Sequence, residues 1–298
     1  RRVGMLVGQV ARVHHTVWEK SGRLTEELQG LKQGGPEAER AGCLVLASKW
    51  VRQAKEMVEK QPGMAYALAA VALGVGEQHA LLWPCLLAAL RAECCYNVPH
   101  YPALPPKGSP SHVVAAYKTA IGYAQLRNGV FEKKENYYNR MAGYVLLLAA
   151  TVQTASVPLF HSEEHMEMRA VANPLGAKFA WAWLARTLNQ RPRPITATVL
   201  LAFLRPTAPL LGVAYPKQFP KLLRFVKESY LLRIGEMVKR LGDDAAEERA
   251  GMRLLSDYVD TTLKELRRHQ GKLPPPEEAD MPKIKEPDNT QDAADDNW

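Results

Sequence analysis

Cysteine is scarce in this chain: four in 298 residues, with Cys94 and Cys95 adjacent and no C-x-x-C pair. That excludes a disulfide scaffold and offers no zinc-ribbon or thioredoxin spacing, so reduced thiols of a nuclear or cytosolic protein are expected. No G-x-x-x-x-G-K-[ST] is present, which removes P-loop nucleotide hydrolysis. Gly74-Val-Gly76 lacks a preceding strand and a third glycine, and it reads as a helix end. No Ser or Cys stands in a nucleophile-elbow context, so a non-enzyme is expected. Long apolar runs are missing as well. The most apolar stretch, 145–152, is far shorter than the ~20 residues of a membrane helix, and no leader pattern precedes it. The expectation is a soluble chain without membrane insertion. Its first residue is Arg, not Met, which fits a piece of a longer protein.

What is abundant is positive charge, unevenly placed. The chain carries +8, yet from Glu277 to the end eight acids face two lysines, a net of −6. The remaining body is therefore +14. A body that basic asks for an anionic partner: nucleic acid, a polyphosphate or an acidic protein face.

The periodicity is helical almost throughout. Leu6, Val10, Val13, Val17, Leu24 and Leu28 predict a first amphipathic helix ending near Gly34-Gly35-Pro36. Cys43, Leu46, Trp50, Val51, Ala54 and Val58 predict a second, stopped by Gln61-Pro62-Gly63. A buried helix over 64–75, another over 77–93, and helices over 111–126, 132–153, 175–190, 194–205, 217–241 and 243–269 follow. Strands are at most incidental. Successive helices joined by short loops imply an all-α fold of antiparallel pairs, a bundle or α-solenoid without a strict repeat. Residues 1–270 are expected to form one helical domain, and 271–298 an acidic, Pro-rich disordered tail.

Several side-chain patterns carry possible chemistry. His161-Ser-Glu-Glu-His165 matches H-x-x-E-H, a zinc-peptidase pattern that needs a long helix. Lying between Pro158 and Asn173-Pro174, it reads better as a solvated loop, and no metal site is assigned. Lys217, Lys221 and Arg224 form a polar stripe best explained as a solvated helix face. Tyr117, Tyr123, Tyr137, Tyr138 and Tyr144 accompany Lys118, Lys133, Lys134 and Arg140, a mixture that can stack bases but is favoured as core edge. Lys49, Arg52 and Lys55 lie at i+3 steps beside the apolar face of the second helix, with Arg91 near the end of the fourth. Like charges clustered on a rigid scaffold are tolerated best when an anion neutralises them.

Three segments, in order and spacing, resemble the C-terminal domain of the Gle-one RNA-export-mediator family. They are Cys94-Cys-Tyr-Asn-Val-Pro-His-Tyr-Pro102, then Tyr138-Asn-Arg-Met-Ala-Gly143, then Asn173-Pro-Leu-Gly through Trp181-Ala-Trp183-Leu-Ala-Arg-Thr-Leu-Asn189 with Ile195-Thr-Ala-Thr198. The resemblance spans roughly residues 40–240. It implies a HEAT-like α-solenoid, similar to the middle domain of translation initiation factor four-G. It further implies an activator of a DEAD-box ATPase in mRNA export at the cytoplasmic face of the nuclear pore. Inositol hexakisphosphate would be the interfacial tether, and an FG-repeat nucleoporin a second partner bound toward the C-terminal half. A monomeric fragment without sequence-specific nucleic-acid binding is expected; the alternative is a helical-repeat RNA-binding module or scaffold.

The implied phosphate site maps onto Lys49, Arg52 and Lys55, with Arg91, Lys107 and Lys118 as further contributors. Fungal members of the family carry a basic pair directly before the shared Cys, where this chain has Ala92-Glu93.

Overall fold

A computed structural model describes residues 2–284 apart from Glu59, His100, Lys107, Asn128 and Glu163. The chain folds as helices α1 (Arg2–Gly8), α2 (His14–Gln33), α3 (Pro36–Gln53), α4 (Met64–Gln78), α5 (Leu82–Glu93) and α6 (Ser111–Ala120). Helix α7 (Lys134–Gln153) leads into a hairpin of β1 (Ser156–Phe160) and β2 (Met166–Ala170). Helices α8 (Gly176–Asn189), α9 (Thr196–Ala214), α10 (Phe219–Phe225), α11 (Leu231–Leu241) and α12 (Ala246–Arg268) complete the fold. It is all-α apart from the hairpin and an isolated bridge between Gln125 and Phe131.

Alternate helices stack. Helix α2 lies on α4, α4 on α7, α7 on α9 and α9 on α12, while α1, α3 and α5 form a second row. The sequence explains the order. Helix α4, MAYALAAVALGVGEQ, is apolar all round and is buried from Met64 to Leu73, as a helix inside a stack must be. The buried face of α3 (Cys43, Leu46, Ala47, Trp50) is anchored by the Trp50 indole N–H, which donates to the Leu68 carbonyl of α4 at 3.1 Å.

Five expectations need adjustment. The predicted first helix is two, because Val10 and Val13 are buried in a bend between α1 and α2. The predicted fourth helix begins later: Glu77 belongs to the last turn of α4, and Pro84 sits in the first turn of α5, where its missing N–H costs nothing. The helix expected over 111–126 stops at Ala120, and Gly122 follows with φ +90°. Helix α9 runs on to Ala214 through Pro206 and Pro209. The Thr207 and Tyr258 hydroxyls donate to the Phe203 and Leu204 carbonyls there, and packing on both sides holds the helix together. By length and a mean hydropathy of 1.5 α9 meets the test for a membrane span, which the sequence reading had found nowhere; 61% of it is buried among neighbouring helices. His161 and His165, by contrast, flank the tip of the β-hairpin and lie on no helix, in keeping with the loop reading of H-x-x-E-H.

The expected disordered tail also differs where it is described. Residues 271–284 run back over the body as a strap. Gly212 makes room for it, since a Cβ there would meet the Gly271 carbonyl oxygen at 2.6 Å. Met281 is buried, Arg12 donates to the Glu277 and Asp280 carbonyls, and the Pro282 and Lys283 carbonyls accept from the His14 and His15 amides. Residues 285–298 of the predicted tail lie outside the described residues.

Candidate anion cleft between helices α3 and α5

Helix α3 starts with Pro36 in its first turn and acids Glu37 and Glu39 behind it, both favourable at a helix N-terminus. With its apolar face turned inward, Ser48 and Arg52 point outward. At Ala54–Val58 the helix loosens into a single π turn, the kind of one-residue insertion often found where a helix carries function. Helix α5 buries Leu82, Leu86 and Leu90 and leaves Ala89, Ala92 and Glu93 facing α3.

Between the two helices lies a cleft of about 430 Å³ lined by Arg52, Lys55, Glu56, Ala89, Ala92 and Glu93, with Ser48 and Val51 at its side and Tyr144 of α7 at its floor. Arg52 and Lys55 are exposed and have no ion-pair partner among the described residues. Glu93 is engaged: the Tyr144 hydroxyl donates to its Oε2 at 3.3 Å. Burial, reinforced by this carboxylate, pushes the Tyr144 phenol well above its ordinary range, so it stays a neutral donor.

Of the six basic residues read from the sequence, the fold brings Arg52 and Lys55 into one cleft. Lys49 lies one turn earlier with its stem against Gly4 of α1, where a Cβ would meet its Cε at 3.0 Å. Arg91 is exposed on α5 but does not line the cleft. Lys118 lies elsewhere, its Nζ 5.4 Å and 5.5 Å from the Tyr123 and Phe131 ring centres. Lys107 lies outside the described residues. Glu56 and Tyr144 were not read as site residues. Glu56 was legible as the i+4 neighbour of Arg52, but the placement of Tyr144 needs the packing of α7 beneath the cleft.

The tyrosine-rich region forms a second cavity of about 320 Å³. Its rings serve one another: Tyr123 stacks on Tyr137 at 3.7 Å, the Tyr96 and Tyr137 hydroxyls lie 2.9 Å apart, and Tyr137 donates to the Ile121 carbonyl. Arg140 is paired with Glu132, and Lys134 with Glu247 and Glu248. Stacked, buried rings and neutralised cations leave little of the base-stacking platform that a nucleic-acid reading requires.

Residues 1–227 match the family model described as GLE1-like protein. The chain is 34% identical over 190 residues to the mRNA export factor GLE1 of Rattus norvegicus and to that of Mus musculus, a stretch covering 63% of this chain. It is 33% identical over 189 residues to the factor of Danio rerio. The match spans about a quarter of the length of these curated relatives, 25% in each case. A chain in the solved structure of the S. cerevisiae Dbp5 C-terminal domain bound to Gle1 and IP6 shares the fold, with a TM-score of 0.68. That match covers 91% of this chain and 82% of the other, at 19% identity. Matched by that family model over most of its length, the chain belongs to the GLE1-like protein family.

Proposed function

We propose that this chain is a non-enzymatic activator of a DEAD-box RNA-dependent ATPase in mRNA export, acting at the cytoplasmic face of the nuclear pore. Inositol hexakisphosphate would be the tether between the two proteins, and an FG-repeat nucleoporin a second partner. The observation that carries this reading is the cleft in which two cations without ion-pair partners among the described residues, Arg52 and Lys55, stand side by side in a chain of this family. Support comes also from the solved relative of the same fold, a complex with a DEAD-box protein and IP6.

The residues fit half of a polyphosphate site. Arg52 and Lys55 can each make charge-assisted contacts, about 1.5–3 kcal/mol apiece when well formed. Glu56 and Glu93 offset that attraction, and on this reading the ATPase supplies the remaining cations. The bound phosphate then acts as a bridge, tight only in the ternary complex. Activation follows from differential affinity: a domain that binds the separated arrangement of the ATPase lobes better than the closed one shifts the ATPase toward it.

The test is RNA-stimulated turnover of the cognate ATPase with this domain, with and without inositol hexakisphosphate. The expected result is stimulation that strengthens with the phosphate and is lost in Arg52→Glu/Lys55→Glu. Stimulation indifferent to both phosphate and variant would remove the cleft from the interface. No stimulation by a folded domain would overturn the activator role.

A further inference from the structure

The H-x-x-E-H segment belongs to a site of a different kind from the one its sequence suggests. In the antiparallel hairpin Leu159 pairs with Glu167 and Phe160 with Met166, and the ladder continues as the His161 amide donates to the His165 carbonyl at 3.0 Å. Because strand side chains alternate, His161, His165 and Glu167 emerge on one face of the hairpin. His161 Nε2 lies 3.0 Å from Glu167 Oε1, and the two imidazole ring centres are 5.3 Å apart. One donor atom from each of the three residues lies within 4.8 Å of the other two.

From this geometry we infer a binding site for a divalent transition metal, zinc by preference, held by His161, His165 and Glu167. Two imidazoles and a carboxylate suit zinc, copper or nickel; magnesium and calcium take oxygen donors. A tetrahedral zinc with bonds of about 2.0–2.1 Å sets its donors roughly 3.3 Å apart, a contraction that side-chain rotation can supply at the tip of a hairpin. The ligands are accessible, with His161 and Glu167 about half exposed at 51% and 52%.

The hairpin itself is fixed. The Arg169 guanidinium donates two bonds, of 2.8 Å and 2.6 Å, to Glu77 at the end of α4. On the other strand Phe160 packs against the His15 and Trp18 rings of α2. A metal there has three protein ligands and one position left for water or for a donor from another molecule. The peptidase reading does not return with it, because Glu164 is an exposed turn residue, not a neighbour on a helical face.

The experiment titrates the whole chain with zinc chloride in a calorimeter and follows the histidine ring nitrogens by NMR. We expect one zinc per chain with Kd below about 10⁻⁴ M, shifts of the His161 and His165 nitrogens, and a loss of about tenfold or more in His161→Ala and in His165→Ala. Glu167→Gln weakens binding by a smaller factor. The substitutions are on exposed side chains, and an unchanged melting curve certifies each fold. Absence of saturable binding overturns the site, and so does zinc uptake undiminished in His161→Ala/His165→Ala. Should a variant misfold, the ring-nitrogen shifts of the unsubstituted chain decide.

Discussion

Glu93 occupies a position at which one carboxylate sets the sign of a cleft. It sits with Glu56 among the residues that line the space around Arg52 and Lys55, and Tyr144 holds it at the floor. Two unit charges about 5 Å apart at the effective dielectric of a protein surface interact by roughly 3 kcal/mol before salt screening. Glu93→Lys removes a repulsion and adds an attraction, so affinity of the isolated domain for inositol hexakisphosphate should rise at least about tenfold, or 1.4 kcal/mol, by calorimetry. A second residue-scale case is Glu248, 3% exposed, which accepts from Tyr138 at 2.5 Å and pairs with Lys134 at 3.2 Å. Lys134→Met leaves that buried carboxylate without a cation and should cost about 3–5 kcal/mol by urea denaturation, well beyond a surface ion pair. The basic residues were legible as a pattern on α3. Glu56 was legible beside them on the same helix and Glu93 as a departure from the family's basic pair, but that Glu93 faces Arg52 and Lys55 was not, because charge balance in a cleft depends on which helix stands opposite.

At the scale of elements, the sequence speaks clearly wherever one principle acts alone. The apolar run of α4 and the 3.6-residue period of α3, α7 and α12 place those helices within a few residues. It fails where packing overrides local preference. Pro206 and Pro209 argue for a helix end, yet α9 continues because its neighbours bury it on both sides. The hairpin escaped because each strand has five residues and Pro158 interrupts the first. Its attachment has a pH dependence with a definite sign. The two bonds from Arg169 hold the Glu77 carboxyl below its ordinary value of 4.5. A depressed folded pKa stabilises above the ordinary carboxylate range, and the contribution is lost as pH falls through the lowered value. The Trp18 indole resonance, reporting the Phe160 contact, should therefore shift as pH drops below about 4.5 and should already be shifted at neutral pH in Arg169→Ala.

Across the whole molecule, the fold class and the excess of positive charge could be read before any coordinates, and so could the family, from three short segments in order. The course of 271–284 could not. Its composition, three prolines followed by acids, signals disorder, and the contacts that seat it are made by distant partners: Arg12, the amides of His14 and His15, and the gap above Gly212. Truncation after Gln270 should lower the melting temperature by several degrees, since backbone and guanidinium bonds worth about 1 kcal/mol each disappear with the burial of Met281. It should leave phosphate affinity unchanged, because the strap does not line the α3–α5 cleft. Burial also keeps tyrosines such as Tyr258 neutral, its phenol pushed up to about 12. A raised folded pKa stabilises below the unfolded value and is lost above it, so stability declines once pH passes about 10.

No side chain caps the start of α2; the Pro282 and Lys283 carbonyls serve its first amides instead. Every residue type carries the same carbonyl, so this closure is read by length and not by letter. The strap can drift freely in spelling at those positions while insertions or deletions between Arg268 and His14's partners are resisted. A comparison of close relatives should then find the spacing kept where the words have changed.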